Sequence, residues 1–231
     1  MKTIGLIGGM SWESSLEYYR ILNETVKVRL GGTHSARCVM YSLDFDEIEA
    51  LQREDRWDEA TRVMIAAARH VQAGGADFVV ICTNTMHKMA EQVAAAIDIP
   101  LLHIADATAA VIKDRGLHKI GLLGTRFTME QDFYRGRLEE MHGLEVLIPE
   151  TGDREVVHRV IYEELVLGEI RDASREQYKG IIEKLTAAGA QGVILGCTEI
   201  GLLVNQEDCR IPLFDTTSIH AEAAVELALA G

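Results

Sequence analysis

Cys197 is the residue whose type and position best suit proton-transfer chemistry. It lies in the string VILGCTE, directly after a predicted buried strand and before a turn or the start of a helix. Backbone N–H groups exposed at such a place favour a thiolate, which can act as a base. Most cysteines are small core residues, and we interpret Cys38, inside a strand, and Cys209, in a polar loop, in that way. The strand-end position of Cys197, followed by Thr and Glu, instead predicts a functional thiol.

An internal repeat identifies Thr83 as the counterpart of Cys197 in the first half of the chain. The landmarks IGLIGG, GADFVVICTN and IPLLHI recur in the second half as IGLLGT, GAQGVILGCTE and IPLFDT. Thr83 lies eight residues after Gly75, just as Cys197 lies eight residues after Gly189. Cys82 is out of step by one residue, and strand side chains alternate between faces. The repeat therefore predicts that Cys82 points away from the face that Thr83 and Cys197 share.

These residues must be positioned by an alternation of strands and helices, which is typical of an α/β protein with mostly parallel sheets. Apolar, β-branched runs predict strands at residues 3–8, 37–43, 78–82, 100–104, 119–124, 145–148, 192–196 and 211–214. Helical periodicity covers residues 14–30, 57–73, 128–141, 174–188 and 218–230. Together with the repeat, the pattern predicts two pseudo-symmetric lobes, each a mostly parallel sheet flanked by helices.

The lobe boundaries follow from where the repeat restarts. We expect the first lobe to comprise residues 1–104 plus 211–231, and the second to comprise residues 105–210. The closing strand and helix are thus expected to complete the first sheet. Parallel α/β sheets bind ligands outside the carboxyl ends of their strands, and two facing lobes form a cleft. We therefore expect the site between the two lobes.

Composition and charge argue against several classes of function. A net charge of -13 is unsuited to a nucleic-acid partner. No apolar run is long enough to cross a bilayer, and the opening MKTIGLIGGM is typical of a buried strand rather than a signal peptide. The four cysteines form no C-x-x-C pair, and IGLIGG lacks the G-x-G-x-x-G spacing of a dinucleotide site. We expect a cytoplasmic protein without metal, membrane or nucleic-acid partners.

Three strings together resemble the aspartate/glutamate racemase family over essentially the whole chain. They are IGLIGGMSWES at the start, ICTNTMH after the third predicted strand and GCTE after the seventh. The resemblance implies two α/β lobes that each place one cysteine beside the Cα of an amino acid. One cysteine removes a proton and the other supplies one to the opposite face, without pyridoxal phosphate or metal. It implies an amino-acid substrate, and we expect a homo-oligomer, with a dimer as the first expectation.

The sequence departs from the family at the first cysteine. The family pattern there is C-N-T-x-H, whereas this chain has threonine at position 83, followed by Asn84, Thr85, Met86 and His87. A thiol has a pKa of about 8.5, while an aliphatic hydroxyl is closer to water at about 15.7. Thr83 is therefore a poor base. We expect it to act as a proton donor, through a water or His87, so that one direction of racemisation is slower than the other.

The resemblance also implies a cage of polar groups around a zwitterionic amino acid. Hydroxyl and amide groups at strand ends are expected to hold the carboxylate, and those that carry over from the family motifs belong to Asn84, Thr85 and Thr198. Beyond the motifs, Thr125 and Thr128 in the string GTRFTM are expected to add donors from the second lobe. The alternative for the threonines is helix capping, which is compatible with binding. Glu199 is expected to receive the ammonium group, while Met10 and Ser11 cover the ligand.

Recognition of the substrate side chain is predicted less directly. Aspartate-specific relatives are expected to use a cation for the second carboxylate, including a lysine whose nearest counterpart here is Val166. That departure weakens a strict aspartate specificity. Gln52 and Arg53 are the candidates to read the distal group, and the alternative is that this charged run is a solvated helix face.

Three functions compete on the sequence alone. The first is racemisation of acidic or broadly polar amino acids, with Cys197 as acid and base and Thr83 in the place of the second cysteine. The second is a single-cysteine decarboxylase or isomerase, similar to arylmalonate decarboxylase or maleate isomerase. The third is a non-catalytic amino-acid-binding protein that lost the first cysteine together with its activity.

Overall fold

The computed structural model describes residues 1–230 and divides into two compact units. One unit consists of Met1–Ile104 together with the C-terminal segment that begins at His220, and the other is Ala105–Ile219. Each unit contains one sheet of four parallel strands flanked by helices. The expected α/β class and the two-part organisation are therefore confirmed.

The sheet of the first unit has the strand order β2-β1-β3-β4. Its strands are β1 (Ile4–Gly8), β2 (Cys38–Ser42), β3 (Phe78–Ile81) and β4 (Leu101–Leu102). Residues of β1 and β3 are buried on both faces, which explains why these strands appear in the sequence as unbroken apolar runs. The central pair therefore forms the rigid frame from which the polar loops at their carboxyl ends extend.

Helices cover both faces of this sheet. They are α1 (Trp12–Leu30), α2 (Phe45–Arg53), α3 (Trp57–Ala73), α4 (Ala90–Ala95) and α11 (Thr216–Leu229), with a single 3-10 turn at Thr85–Met89. Ile7, Val79 and Ile81 belong to the hydrophobic core on the α3 face. The strand residues between them, including Val80 and Cys82, belong to a second core on the opposite face, with α1 and α11. Cys82 therefore lies in a core, as its register predicts.

The second unit repeats this arrangement with the strand order β6-β5-β7-β8. Its strands are β5 (Lys119–Gly124), β6 (Glu145–Leu147), β7 (Val193–Gly196) and β8 (Leu213–Asp215). Its helices are α5 (Ile104–Asp114), α6 (Arg126–Glu130), α7 (Arg135–His142), α8 (Thr151–Glu163), α9 (Asp172–Ala187) and α10 (Ile200–Leu203). The same order of crossovers in the two units is the structural basis of the sequence repeat.

Strand registers in the two sheets make Thr83 and Cys197 equivalent. Ile7 pairs with Ile81 in the first sheet, and Leu123 pairs with Leu195 in the second. Ile7 and Leu123 occupy the same place in the repeated strings IGLIGG and IGLLGT. Thr83 lies two residues beyond Ile81, and Cys197 lies two residues beyond Leu195. The equivalence inferred by counting residues is thus reproduced by hydrogen-bonded pairing.

Two features differ from the sequence-based expectation. The strand near residues 211–214 pairs with β7, so it closes the second sheet, and the division between units falls at His220 instead of residue 211. Pairing is favoured there because Phe214 packs over Gly192, where a Cβ atom would lie 2.7 Å from the ring. The helix expected at residues 128–141 is broken, since Gln131 is extended with ψ 149°.

Among residues 1–230, no helix is both long enough and apolar enough to cross a membrane.

Candidate active site

The loop after β1 is held rigidly by its own backbone and by two serines. Gly9 has φ +84°, and a Cβ atom there would lie 2.1 Å from the carbonyl oxygen of Leu43. The Gly9 N–H donates to Ser15 Oγ at 2.8 Å, and that hydroxyl donates to the Ser11 carbonyl at 2.9 Å. Ser11 caps α1 by accepting from the Ser14 N–H. Met10 and Ser11 are buried at fixed positions beside the end of β1.

Thr83 begins the polar segment after β3, and its backbone is fixed by His87. Nδ1 of His87 donates to the Thr83 carbonyl at 2.7 Å, and Nε2 accepts from the Ile104 N–H at 3.2 Å. This pattern requires a neutral imidazole with its proton on Nδ1. His87 therefore bonds to the carbonyl of Thr83, which argues against the expected relay from the Thr83 hydroxyl through this ring.

Behind His87 lies a network of buried rings that sequence reasoning missed. Tyr18 donates its hydroxyl to Nδ1 of His220 at 2.8 Å, and Nε2 of His220 donates to the Leu102 carbonyl at 3.0 Å. The His87 ring lies 4.5 Å from that of His103 and 5.8 Å from that of His220. Burial lowers the pKa of His220 from 6.5 to about 4. The only sequence signal was two histidines at otherwise apolar positions of the IPLLHI string and the last helix.

The remaining candidates of the first unit fall into two groups. Asn84 and Thr85 are buried beside Thr83 at the carboxyl edge of the sheet. Gln52 is also buried, and its amide contacts the sulfur of Met86 at 3.2 Å. Arg53, in contrast, has a side chain that is 65% exposed and paired with Glu49 on the same helix. Of the two proposed readers of the substrate side chain, only Gln52 lies in the interior.

In the second unit, Thr125 and Thr128 form a helix cap at the end of β5. Thr125 Oγ1 accepts from the Thr128 N–H at 3.3 Å, and the two hydroxyls lie 3.2 Å apart. Both side chains are buried. Gly124 pairs with Gly196 on the neighbouring strand, so the residues that follow, Thr125 and Cys197, lie at the same edge of the sheet. Thr125 therefore caps the helix and also lies at the same sheet edge as Cys197.

Cys197 is part of a compact cluster with the two residues that follow it. Its Sγ donates to Oε2 of Glu199 at 2.9 Å, and Thr198 Oγ1 donates to the same oxygen at 2.9 Å. All three residues are buried, with Glu199 only 2% exposed. Thr198 and Glu199 were expected to meet the carboxylate and ammonium groups of a ligand. In this structure the carboxylate of Glu199 accepts hydrogen bonds from both the Thr198 hydroxyl and the Cys197 thiol.

The electrostatics of Cys197 reverse one sequence-based expectation. Burial, followed by the negative charge of Glu199, raises the pKa of the Cys197 thiol well above its usual range. The backbone N–H groups of Glu199 and Thr198 act in the opposite direction, as expected for a strand-to-helix turn, but their effect is smaller. In the ligand-free protein Cys197 is therefore a neutral thiol, suited first to donating a proton.

The other three cysteines lie outside the polar turn that holds Cys197: Cys82 is in a hydrophobic core, Cys38 begins β2 and Cys209 follows a 3-10 turn. Cys82 is fully buried, and burial raises the pKa of its thiol. Cys38 and Cys209 are partly exposed, and burial again raises their pKa values.

Among the described residues no three His, Cys, Asp or Glu side chains are grouped as metal ligands would be.

Two further buried residues of the second unit, Tyr178 and Glu164, had no clear sequence signal. Tyr178 on α9 donates to the Val157 carbonyl at 2.9 Å. Its pKa is raised well above 10.0, first by burial, and a negative charge on Cys197 would raise it further, so the two side chains are electrostatic neighbours. Glu164 is buried and accepts from the Ser174 hydroxyl at 2.6 Å. Tyr178 lies on α9 and Glu164 directly follows α8, so neither belongs to a strand-end motif. Their burial results from the packing of these helices, which no local pattern in the sequence records.

Val166, the counterpart of the expected lysine, lies in the 3-10 turn Leu165–Leu167 and is partly buried. The cations in this region, Arg159 and Arg171, face the carboxylate of Glu164 at 3.9 and 3.5 Å. These two arginines are thus paired with Glu164, and the side chain at position 166 is an uncharged valine where a lysine was expected.

Comparison with known proteins agrees with this architecture. A family model described as Asp/Glu/Hydantoin racemase matches residues 7–224. The chain is 58% identical to a Yersinia pestis protein whose crystal structure is described as that of a candidate Asp/Glu racemase. The match covers 99% of this chain and 100% of that one, with a TM-score of 0.92.

Two more distant relatives extend the comparison. An aspartate racemase homologue from Pyrococcus horikoshii OT3 is 36% identical, covers 99% of both chains and has a TM-score of 0.85. The broad specificity amino-acid racemase RacX of Bacillus subtilis (strain 168) is 24% identical over 181 residues, which is 75% of this chain and 74% of RacX. Because the family model spans most of the sequence, the chain belongs to the Asp/Glu/Hydantoin racemase family.

Proposed function

We propose that this protein is an amino-acid racemase that works without a cofactor by proton transfer at Cα. Cys197 exchanges the proton on one face, and Thr83 takes the place of the second cysteine on the other. The substrates are aspartate, glutamate or a broader set of polar amino acids. We expect the enzyme to act in the cytosol as a homo-oligomer.

The observation that carries this proposal is the equivalence of Thr83 and Cys197 in the two strand registers. Each residue follows a central parallel strand, at the sheet edge where α/β proteins bind ligands. Both side chains are at the edge of burial, 9% and 8% exposed, whereas Cys82 is fully buried. The names of the relatives, an aspartate racemase homologue and a broad specificity racemase, support the same reaction class.

The two positions differ in acid–base strength, and this difference predicts unequal rates. A thiol can give a proton and, once ionised, take one back, whereas the hydroxyl of Thr83 is too weak an acid to serve as a base near neutral pH. Removal of the Cα proton by Cys197 is therefore expected to be faster than removal on the Thr83 side. We expect L-enantiomers to be the better substrates.

The charge pattern supports a polar but not strictly acidic specificity. Gln52 is a buried neutral amide, and position 166 is valine where aspartate-specific relatives are expected to carry lysine. A carboxylate in a low-dielectric site is best held by a cation or by several donors. Binding of the distal group by neutral donors such as Gln52 therefore tolerates amides and hydroxyls as well as carboxylates.

Exchange of the Cα hydrogen tests the proposal directly. The protein is incubated with L- and D-amino acids in deuterium oxide, and Cα deuteration and enantiomer ratio are followed by NMR and chiral chromatography. We expect exchange with polar amino acids and a final ratio of one, and Cys197→Ala should abolish both.

Cys82→Ala is the matched control, because that thiol is buried in a core and should leave the rate unchanged. Exchange that survives in Cys197→Ala, or is lost in Cys82→Ala, would contradict the assignment. Consumption of a dicarboxylic substrate without Cα exchange would favour a single-cysteine decarboxylase or isomerase. Binding without any turnover would favour a non-catalytic protein.

A further inference from the structure

The carboxylate of Glu199 has an unusual position for a group whose only expected role was to bind an ammonium ion. Its Oε2 accepts the Cys197 thiol and the Thr198 hydroxyl, each at 2.9 Å. A thiol is normally a weak hydrogen-bond donor, and this contact is short for sulfur and oxygen. Glu199 is therefore the direct hydrogen-bond acceptor for the proton on Cys197.

The turn after β7 brings these groups together. Gly196 ends the strand, and a Cβ atom there would lie 2.7 Å from the Leu123 carbonyl oxygen. Glycine therefore allows the close approach of β5 and β7 at the point where the chain leaves the sheet, and Cys197 and Glu199 lie in the turn that follows. The Ile200 N–H closes this turn on the Cys197 carbonyl at 3.1 Å. The thiol and the carboxylate thus belong to residues of one hydrogen-bonded turn.

We propose that Glu199 is the immediate proton partner of Cys197: its carboxylate keeps Cys197 as a thiol in the ligand-free protein and accepts the thiol proton when Cys197 acts as a base. This inference rests on the proposed racemase function for its catalytic half. Its resting-state half concerns the free protein alone and is tested without any substrate.

The proton balance of the step requires no other reactant. The Sγ–H bond of Cys197 breaks, the electron pair stays on sulfur, and the proton forms an O–H bond with Glu199. The resulting thiolate then takes the Cα proton of the substrate, and sulfur becomes a thiol again. In the reverse direction the thiol gives its proton to the carbanion, and Glu199 returns the stored proton to the thiolate.

The resting state follows from charge and burial. A thiolate at Cys197 would place a second negative charge about 3 Å from that of Glu199 in an interior with little water. Burial and this repulsion both raise the pKa of the Cys197 thiol. Tyr178, which is an electrostatic neighbour of Cys197, has a raised pKa and is neutral. Removal of the carboxylate charge should therefore increase the fraction of thiolate in the free protein.

The substitution Glu199→Gln tests both roles, because glutamine has nearly the same shape as glutamate but lacks its negative charge and its strength as a proton acceptor. Alkylation of Cys197 reports the resting-state role, and Cα exchange reports the catalytic role. Alkylation of Cys197 by iodoacetamide at pH 8, without ligand, is followed by mass spectrometry of the peptide that contains it. We expect the variant to react faster than the wild type by about tenfold or more, because one close negative charge is removed. We expect Cα exchange to fall by a similar factor or more.

Three controls make the result specific. Glu207→Gln removes an exposed carboxylate of the same unit and should change neither rate. Cys209 is partly exposed and distant in sequence, so its alkylation rate within Glu199→Gln reports any general loosening of the fold. Glu199→Asp keeps the charge and should restore part of the exchange activity while Cys197 stays slow to alkylate.

Each outcome decides a part of the proposal. If Cys197 is alkylated no faster in Glu199→Gln, Glu199 does not hold the thiol protonated. If alkylation accelerates but Cα exchange is undiminished, Glu199 is not the proton acceptor. If no amino acid exchanges its Cα proton even with the wild type, the proposed function fails, yet the alkylation experiment still decides the resting-state role.

Discussion

His220 should make the stability of the first unit depend on pH. The ring is fully buried, with Nδ1 accepting from the Tyr18 hydroxyl and Nε2 donating to the Leu102 carbonyl. A proton added to Nδ1 would remove the acceptor that Tyr18 needs and create a buried charge. Folding therefore requires the neutral ring.

The size of the effect follows from the pKa of the ring. Burial lowers the pKa of His220 from 6.5, the value taken for the unfolded chain, to about 4. Below pH 6.5 the unfolded chain binds more protons than the folded one, so stability falls as the pH decreases. At 1.36 kcal/mol per pKa unit the full loss is about 3 kcal/mol, reached near pH 4. Between pH 7.5 and pH 5 the loss is about 2 kcal/mol.

Urea unfolding of the wild type and His220→Gln across this pH range measures the effect. Glutamine can still donate to the Leu102 carbonyl but does not titrate, so carboxylate titrations common to both proteins cancel in the difference. We expect the wild type to lose about 2 kcal/mol relative to the variant from pH 7.5 to pH 5. As a control, His34→Gln changes an exposed histidine, and its free energy of unfolding should follow that of the wild type across the same pH range. A wild-type to His220→Gln difference that stays constant within about 0.5 kcal/mol would refute the reasoning.

Three other substitutions probe the site. Thr83→Cys should raise the initial rate with the poorly used enantiomer at least about tenfold while the final ratio stays at one; an unchanged preference would argue against a two-residue mechanism. His87→Asn, which keeps an N–H able to reach the Thr83 carbonyl, should retain more kcat than His87→Leu, and equal kcat values would exclude a positioning role for this bond. Gly9→Ala should lower the free energy of unfolding by about 2 kcal/mol or more because of the Leu43 carbonyl, whereas Gly31→Ala, with positive φ but open space, should cost about 1 kcal/mol; similar losses would contradict the clash.

The sequence alone determined the fold class, because its signals are local. Buried parallel strands need continuous apolar runs, and all eight predicted runs correspond to strands, with no end shifted by more than two residues. The repeat also predicted the equivalence of Thr83 and Cys197, since residue counts along two similar units are preserved when the units fold alike. The family resemblance rested on the same strand-end strings, and the match over residues 7–224 confirmed it.

Other features were decided only by tertiary packing. The sheet that the last strand joins depends on which edge fits Phe214 over Gly192, a contact between residues 22 positions apart. The same holds for the buried rings around His220, which come from opposite ends of the first unit. No local pattern in the sequence records such contacts.

The protonation state of Cys197 shows the limit of sequence most clearly. The sequence predicts the backbone N–H groups that favour a thiolate, because they follow from a strand-to-helix turn. Burial of the thiol and the 2.9 Å approach of Glu199 have the opposite and larger effect. Both depend on the surrounding packing, since the same string in a solvated turn would carry neither desolvation nor a fixed carboxylate. The type and place of the residue were thus readable from the sequence, whereas its charge was set by the folded environment.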